Sequence, residues 1–427
     1  MELMPAYILG GALLALLAVR VPIALAMLLA SGIYLLGFGT IPMTVLPQRL
    51  WAGLESFPLL AIPFFVFAGI LMNVSGGAER IFSFSLTLVG QWRGGIAHVN
   101  VLASMIFAGM SGAATADAAG LGQVEIDAMK RDGYSPEFSA AVSAASATIG
   151  PIIPPSVPLV VFGVMTQVSI WQLFMGGIIP GLLMGFGMMG VVAWRARQRN
   201  YPVRPRVPGS VVWREFRRSF LALAAPLVIL GGLFSGVFTP TEAGVAAAAY
   251  ALMLGVCYRT IRWRQLPALL QEAMLMTAQI TFIVGAAGVF GWAMTYAQIP
   301  TVLTSTVTAI TTDKIVVLVL VNAVMLVMGC FIDALALLIM MTPVVFPLAM
   351  ALSIDPVQLG VIMVLNCMIG LITPPVGICL YIVADIAKAP VMKVARELVP
   401  FYVALIVCLA AITFVPALVT LLPRWLT

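Results

Sequence analysis

Gly109-Met110-Ser111-Gly112-Ala113-Ala114-Thr115-Ala116-Asp117, followed by Gly150-Pro151-Ile152-Ile153-Pro154-Pro155, returns 220 residues later as Gly329-Cys330-Phe331-Ile332-Asp333 and Gly370-Leu371-Ile372-Thr373-Pro374-Pro375. Residues 109–180 hold six prolines and residues 329–400 hold seven. Four coincide at that offset without gaps: Pro136/Pro356, Pro154/Pro374, Pro155/Pro375 and Pro180/Pro400. Independent placement gives roughly 0.6 coincidences, so the stretches read as copies of one unit. Gly109/Gly329, Ile149/Ile369, Gly150/Gly370 and Ile152/Ile372 coincide as well. Proline removes an amide donor and glycine frees the backbone, so each copy carries helices interrupted within apolar sequence.

The 427 residues are 62% hydrophobic and 9% charged, where soluble domains carry about 25% charged residues. Apolar stretches long enough to cross a bilayer recur along the whole length. Helices are expected, because backbone groups in lipid must be satisfied within their own segment. The first apolar stretch, residues 5–19, has no basic region before it and reads as a span, not a signal peptide. The net charge of +6 reads as a topology signal and not as nucleic-acid affinity. Five scattered cysteines, Cys257, Cys330, Cys367, Cys379 and Cys408, show no metal-ligand spacing and read as small buried hydrophobes. His98 is the only histidine, which argues against histidine metal sites and His-dependent triads.

Eight arginines fall at Arg195, Arg197, Arg199, Arg204, Arg206, Arg214, Arg217 and Arg218, so residues 195–218 are expected on the cytoplasmic side. Working outward, a first repeat occupies residues 1–194 and a second occupies 219–427. The first begins outside at Glu2, crosses to Arg20 and turns near Gly39-Thr40. It skims the surface to Glu55 and crosses again over residues 57–74. Residues 94–130 are flanked by Arg93 and by Lys130-Arg131, and each arm is about half a span long. They read as a re-entrant hairpin open to the cytoplasm, a device tolerated only where it is buried or lines a cavity. A broken span follows at 136–166. The second repeat runs the same plan upside down, with a hairpin at 315–350 opening outside and a broken span at 356–385. The fold expected is therefore an all-α polytopic membrane protein of inverted repeats, with two re-entrant hairpins and two broken transmembrane helices. Such duplication is the mark of a secondary transporter whose site lies at the bilayer midplane.

The candidate chemistry sits at the interruptions. Asp117 is an intramembrane carboxylate, a costly feature that small-residue packing does not explain. Ser111 and Thr115 add hydroxyl oxygens, and Gly112 lets the backbone turn and present carbonyls. Pro154 and Pro155 free carbonyls upstream, around Ser146, Thr148 and Gly150. Asp333 is the acidic counterpart at the second hairpin tip, and Asn366, Gly370 and Thr373 are the counterpart of the first break. Oxygen-rich sets of this kind suit Na⁺, and two sites related by pseudo-symmetry are expected. Half-helix N-termini at the breaks present positive dipole ends to an anionic substrate. Gly185-Phe186-Gly187-Met188-Met189-Gly190 matches a dinucleotide fingerprint but lies in an apolar span with no strand before it, so helix packing accounts for it. No phosphate-binding loop of the Walker type appears, so no nucleotide is expected. Glu242, in Thr239-Pro240-Thr241-Glu242, is expected at an outer turn, capping the next helix or touching a partner. A membrane-embedded enzyme needs a nucleophile–base pair or metal cluster at membrane depth, and no motif supplies one.

These residues resemble the large membrane subunit of tripartite ATP-independent periplasmic (TRAP) transporters, over essentially the whole chain. The resemblance is specific at residues 109–118, 150–155 and 238–243, and at Ile369-Gly370-Leu371-Ile372-Thr373-Pro374-Pro375-Val376-Gly377. It implies an elevator-type Na⁺ symporter of the ion-transporter superfamily, with a mobile domain carrying substrate past a fixed scaffold. It also implies a small four-helix membrane subunit, a soluble periplasmic substrate-binding protein and a small organic-anion substrate, mostly carboxylates. Carried over by position, Ser111, Gly112, Thr115, Asp117 and Asp333 match the hairpin motifs, and Gly150 and Gly370 match the unwound helices. The substrate is expected against Ser111, Ala113, Pro154, Pro155, Pro374, Pro375 and Gly377. Ala113 stands where family members often carry a hydroxyl, which implies a less polar pocket or a different bound group. The small subunit is expected as a separate chain, because no extra amphipathic helices precede the first span. The expected place is the bacterial inner membrane with a periplasmic N-terminus. The alternative is a stand-alone Na⁺/anion symporter of the same superfamily that needs no binding protein.

Overall fold

The computed structural model describes residues 4–38, 41–201 and 203–426. The expected outer start at Glu2 and the turn at Gly39-Thr40 lie outside the described residues. Every regular element among those described is helical. In chain order they are α1 (Met4–Ala18), α2 (Ile23–Phe38), α3 (Val45–Leu54), α4 (Ala61–Val74), entered through a short 3₁₀ turn, and α5 (Gly77–Val89). The first interrupted unit follows as α6 (Gly95–Ser111), α7 (Ala114–Ala119), α8 (Leu121–Arg131), α9 (Pro136–Ala147) and α10 (Val157–Thr166). Next come α11 (Ile170–Gln198), α12 (Gly209–Phe234), α13 (Pro240–Cys257), α14 (Leu266–Tyr296) and α15 (Ile299–Ile310). The second interrupted unit is α16 (Lys314–Gly329), α17 (Ala334–Ala351), α18 (Pro356–Leu371) and α19 (Ile378–Ala387). The chain closes with α20 (Val391–Phe414) and α21 (Ala417–Leu426).

Seven of these helical segments are long and apolar enough to cross a membrane. The members of the two interrupted units, α17 apart, are shorter. The 12 residues of α9 reach only about 18 Å at 1.5 Å per residue. Apolar side chains such as Leu227 (74% exposed) and Val403 (58% exposed) point outward, as lipid-facing surface does.

Local chemistry sets the ends of the broken helices. Ser135 caps α9 by accepting from the Phe138 amide at 3.3 Å, and Asp355 caps α18 from the Val357 and Gln358 amides at 2.9 and 3.2 Å. In both, proline follows the cap, at Pro136 and Pro356, where its missing donor costs nothing. Ser156 restarts the chain after the first break by accepting from the Leu159 amide at 3.2 Å. Glu242 is a cap: Thr239 Oγ1 accepts from its amide at 3.3 Å and its Oε2 accepts from the Thr239 amide at 2.8 Å. This reciprocal pair is a capping box.

The helices pack in two groups. One joins α1–α5 with α12–α14, through the pairs α4/α13, α3/α14, α2/α14 and α5/α12. The other joins α6–α11 with α16–α21, through α9/α19, α9/α20, α16/α18 and α11/α20. They meet where α4, α5 and α12 touch α6 and where α14 touches α17, and α15 lies against both α14 and α17.

Several features differ from expectation. Residues 195–218 are largely helical, since α11 runs on through Gln198 and α12 begins at Gly209, leaving 199–208 as the connection. Arginines tolerate this because helix ends carry them into the polar region. The returning arm of the first hairpin is two pieces, α7 and α8, divided at Gly120, whose α-carbon is covered by the Asn73 side chain. The returning arm of the second, α17, is continuous despite Pro343 and Pro347. The helices α5 and α15 were not anticipated. Cys367, Cys379 and Cys408 are buried as expected, but Cys257 is exposed and Cys330 half-buried.

Candidate functional site

A cavity of about 100 Å³ lies where the two interrupted units approach each other. Ser111, Gly112, Ala113 and Thr115 line it from the first hairpin tip, and Asp333 lines it from the second. Pro151 and Val157 reach it from the first break, Met368 and Leu371 from α18, and Gly69, Met276 and Ile280 from the other helix group.

Each tip is tied to the break of its own unit by one backbone bond. Val157 N donates to Gly112 O at 3.3 Å, and Val376 N donates to Cys330 O at 3.1 Å. Gly112 needs to be glycine: its φ is +66° and the Pro155 carbonyl occupies the place of a Cβ, while an L-residue in that conformation costs roughly 1–2 kcal/mol.

Asp117 stands just behind the first tip, buried on α7. Its Oδ1 accepts from the Ser111 hydroxyl, and its Oδ2 lies against the α-carbon of Gly150. Ser111, Asp117 and Gly150 are thus one cluster, although only Ser111 reaches the cavity. Ser146, in the last turn of α9, and Thr148, its C-cap, are fully buried. Asp333 caps α17, accepting from the Leu335 amide at 3.1 Å. None of the ion pairs among the described residues involves Asp117, Asp333 or Glu125. A carboxylate in that position is costly unless a cation or proton joins it.

Other expected residues lie outside the cavity lining. Pro154 and Pro155 are buried, the Pro155 carbonyl lying against Gly112, and Pro375 is exposed. Pro374 and Gly377 belong to the same turn; Tyr381 holds it by donating to Pro375 O at 3.0 Å. Thr373 spends its hydroxyl on Ile369 O at 2.6 Å. Asn366 is fully buried in α18. Gly370 packs on the Gly329 carbonyl, 2.7 Å from where a Cβ would stand. The equivalent Gly150 is covered by Asp117 instead, so glycines at equivalent repeat positions do different work.

The structure adds buried polar residues that the sequence reading passed over. Glu125 on α8 accepts from Ser104 at 3.2 Å and from Ser143 at 3.1 Å. Asn100 on α6 donates to Ser143 at 2.6 Å and accepts from Ser146 at 2.8 Å. Asn322 on α16 donates to Thr413 at 3.0 Å. A polar side chain within an apolar helical run, as at Asn100 and Asn322, was the available signal.

A protein of many apolar helices, built around paired interrupted units that enclose a polar-tipped cavity, is a membrane transporter by fold. Comparison with known proteins agrees. The family model described as the DctM component of the tripartite ATP-independent periplasmic transporter matches residues 11–418. The sialic acid TRAP transporter large permease protein SiaM of Vibrio cholerae is 40% identical over 412 residues, covering 96% of each chain. The C4-dicarboxylate TRAP transporter large permease protein DctM of Pseudomonas aeruginosa is 38% identical over 399 residues, covering 93% of each. The sialic acid TRAP transporter permease protein SiaT of Haemophilus influenzae is 38% identical across 96% of this chain and 66% of its own. Among solved structures, the YdaH transporter of Alcanivorax borkumensis superposes with a TM-score of 0.64 at 16% identity, covering 87% of this chain and 88% of its own. The chain belongs to the DctM family, the large permease component of TRAP transporters, and its relatives are permeases and not enzymes.

Proposed function

We propose that this chain is the membrane permease of a Na⁺-coupled importer for a small organic anion with a carboxylate group, in the bacterial inner membrane with its N-terminus in the periplasm. Relatives named for sialic acid and for C4-dicarboxylates support the substrate class. The observation that carries the coupling is the pair Asp117 and Asp333. Asp117 accepts from the Ser111 hydroxyl, Asp333 lines a cavity that Ser111 and Thr115 also line, and none of the ion pairs among the described residues involves either carboxylate. Asp117 with Ser111, Gly112, Thr115, Ser146, Thr148 and Gly150 makes one Na⁺ site, and Asp333 with Asn366, Gly370 and Thr373 makes the other. An anion then binds between them at Ser111 and Ala113, its charge balanced by the cations and by the half-helix N-termini at the breaks. The breaks at Pro154-Pro155 and at Pro374-Pro375-Val376-Gly377 border the substrate path.

The two units, at residues 1–194 and 219–427, are inverted copies with re-entrant hairpins. The helix group that contains both hairpins moves as the elevator against α1–α5 and α12–α14. A periplasmic binding protein delivers the substrate, and a small four-helix membrane subunit completes the complex. SiaT, in which this chain matches 66% of the length, supports a further component beside the permease. Uptake by proteoliposomes holding chain, small subunit and binding protein tests the reading: it should require Na⁺ and stop when K⁺ replaces it. Uptake indifferent to that exchange would sink Na⁺ coupling, and uptake by the chain alone would remove the need for a binding protein.

A further inference from the structure

Asn366 carries a fully buried oxygen, Oδ1, with no hydrogen-bond partner among the described residues. A buried acceptor left bare costs roughly 1–3 kcal/mol. Reversing the amide is not available, for a reason set two residues away. Thr413 on α20 spends its proton on Leu409 O at 2.7 Å, so its oxygen accepts from Asn322 Nδ2 at 3.0 Å. The Asn322 carbonyl is thereby turned toward α18, where it accepts from Asn366 Nδ2 at 2.8 Å. The second amide hydrogen of Asn366 goes to Ile362 O at 2.9 Å. Both acceptors demand the nitrogen, so the Asn366 oxygen is held away from both with its lone pairs free.

The first unit shows the same polarity with different residues. Ser146, equivalent to Asn366 at the 220-residue offset, donates to Asn100 Oδ1 at 2.8 Å. Asn100 donates to Ser143 at 2.6 Å, and Ser143 donates to Glu125 at 3.1 Å. The hydrogens run away from Ser146 as they run away from Asn366. Each row joins the outgoing arm of a hairpin to the first half of a broken helix, α6 to α9 and α16 to α18. An apolar contact would pack these helices equally well, since an interhelical hydrogen bond in a membrane contributes only about 0.6 kcal/mol. What an apolar contact would not do is fix which way an oxygen faces.

We infer that Asn322, backed by Thr413, and Asn100, backed by Ser143 and Glu125, are positioning residues that hold the Asn366 and Ser146 oxygens as cation ligands. Asn322, Asn100, Asn366 and Ser146 all lie outside the cavity lining; each of the first two acts through its neighbour, as groups behind metal ligands do. This inference rests on the Na⁺ reading proposed above.

The test is thermal unfolding of the purified full chain titrated with NaCl, with KCl holding ionic strength constant. Asn322→Ala should raise the Na⁺ concentration for half-maximal stabilisation roughly 10-fold, the lower end of what such supporting groups contribute. Thr413→Val removes one hydroxyl two bonds from the ligand and should raise it several-fold, while Thr413→Ser restores it. If Asn322→Ala does not fold, Thr413→Val and Thr413→Ser still decide the matter. Lower stability without Na⁺ but an unchanged half-point in Asn322→Ala and Thr413→Val would mean packing alone and overturn the inference. The Na⁺ reading would survive that result if Asp333→Ala still loses the response. Absence of any Na⁺-specific stabilisation in the unsubstituted chain would remove the cation reading itself, and this inference with it.

Discussion

Single atoms decide the first hairpin tip. The Asp117 carboxylate touches the Ser111 hydroxyl on one side and the Gly150 α-carbon on the other. Asp117→Ala and Asp333→Ala should each abolish Na⁺-dependent uptake while the protein still reaches the membrane. Wild-type uptake in either variant would take that residue out of the ion sites. Gly150→Ala places a methyl where Asp117 Oδ2 now lies, so it should remove the Na⁺ response in thermal unfolding. Gly190, on α11, has nothing within 4 Å of its missing Cβ, and Gly190→Ala should be neutral or stabilise by about 0.5–1 kcal/mol. Equal loss in both variants would point to general helix disruption and not to the carboxylate.

At the scale of elements, the short connection after α11 is moored. Tyr201 stacks on Tyr134 with ring centroids 4.1 Å apart and lies 5.7 Å from Phe138 at the start of α9. Arg204 pairs with Asp132 at 2.5 Å and Arg199 with Glu397 of α20 at 2.6 Å. The Arg204 and Asp132 side chains are 40% and 21% exposed, and pairs that water reaches contribute about 0–1 kcal/mol. Aromatic stacking contributes about 0.5–1.5 kcal/mol beyond the area it buries. Tyr201→Ala should therefore lower the melting temperature more than Arg204→Ala does. The reverse order would show that charge and not stacking holds the connection. Arginine counting gives only an expected side of the membrane for this segment, whereas the aromatic contacts join residues far apart in the chain and are not legible there.

For the whole molecule, the proposed movement has a direct check. The Pro343 side chain of α17 lies 3.3 Å from where Gly291 of α14 would carry a Cβ, close to the roughly 3.5–4.5 Å that a disulfide spans. In a background without the five native cysteines, Gly291→Cys with Pro343→Cys should cross-link the two helix groups. Oxidation should then stop uptake, reduction should restore it, and Na⁺-dependent stabilisation should persist throughout. Full uptake by the cross-linked protein would rule out sliding between these groups.

Length, apolarity and the matched prolines sufficed to read a helical membrane transporter with two interrupted units, because these are one-dimensional signals: how far an apolar run extends and where the backbone lacks a donor. The starts of the broken spans at Pro136 and Pro356 and the breaks at Gly150 and Gly370 belong to the same class. Asp117, Ser111 and Asp333 were legible because a carboxylate or hydroxyl among apolar neighbours stands out in the chain. The folded structure alone decided which of them share a cavity, that Pro375 is exposed and outside its lining, and that Glu125 and Asn100 bond to Ser143 and Asn322 to Asn366. It alone set Gly150 against a carboxylate and its equivalent Gly370 against a carbonyl. Those outcomes depend on which helix packs on which and on the direction in which each hydrogen bond runs, and neither is written in the order of residues.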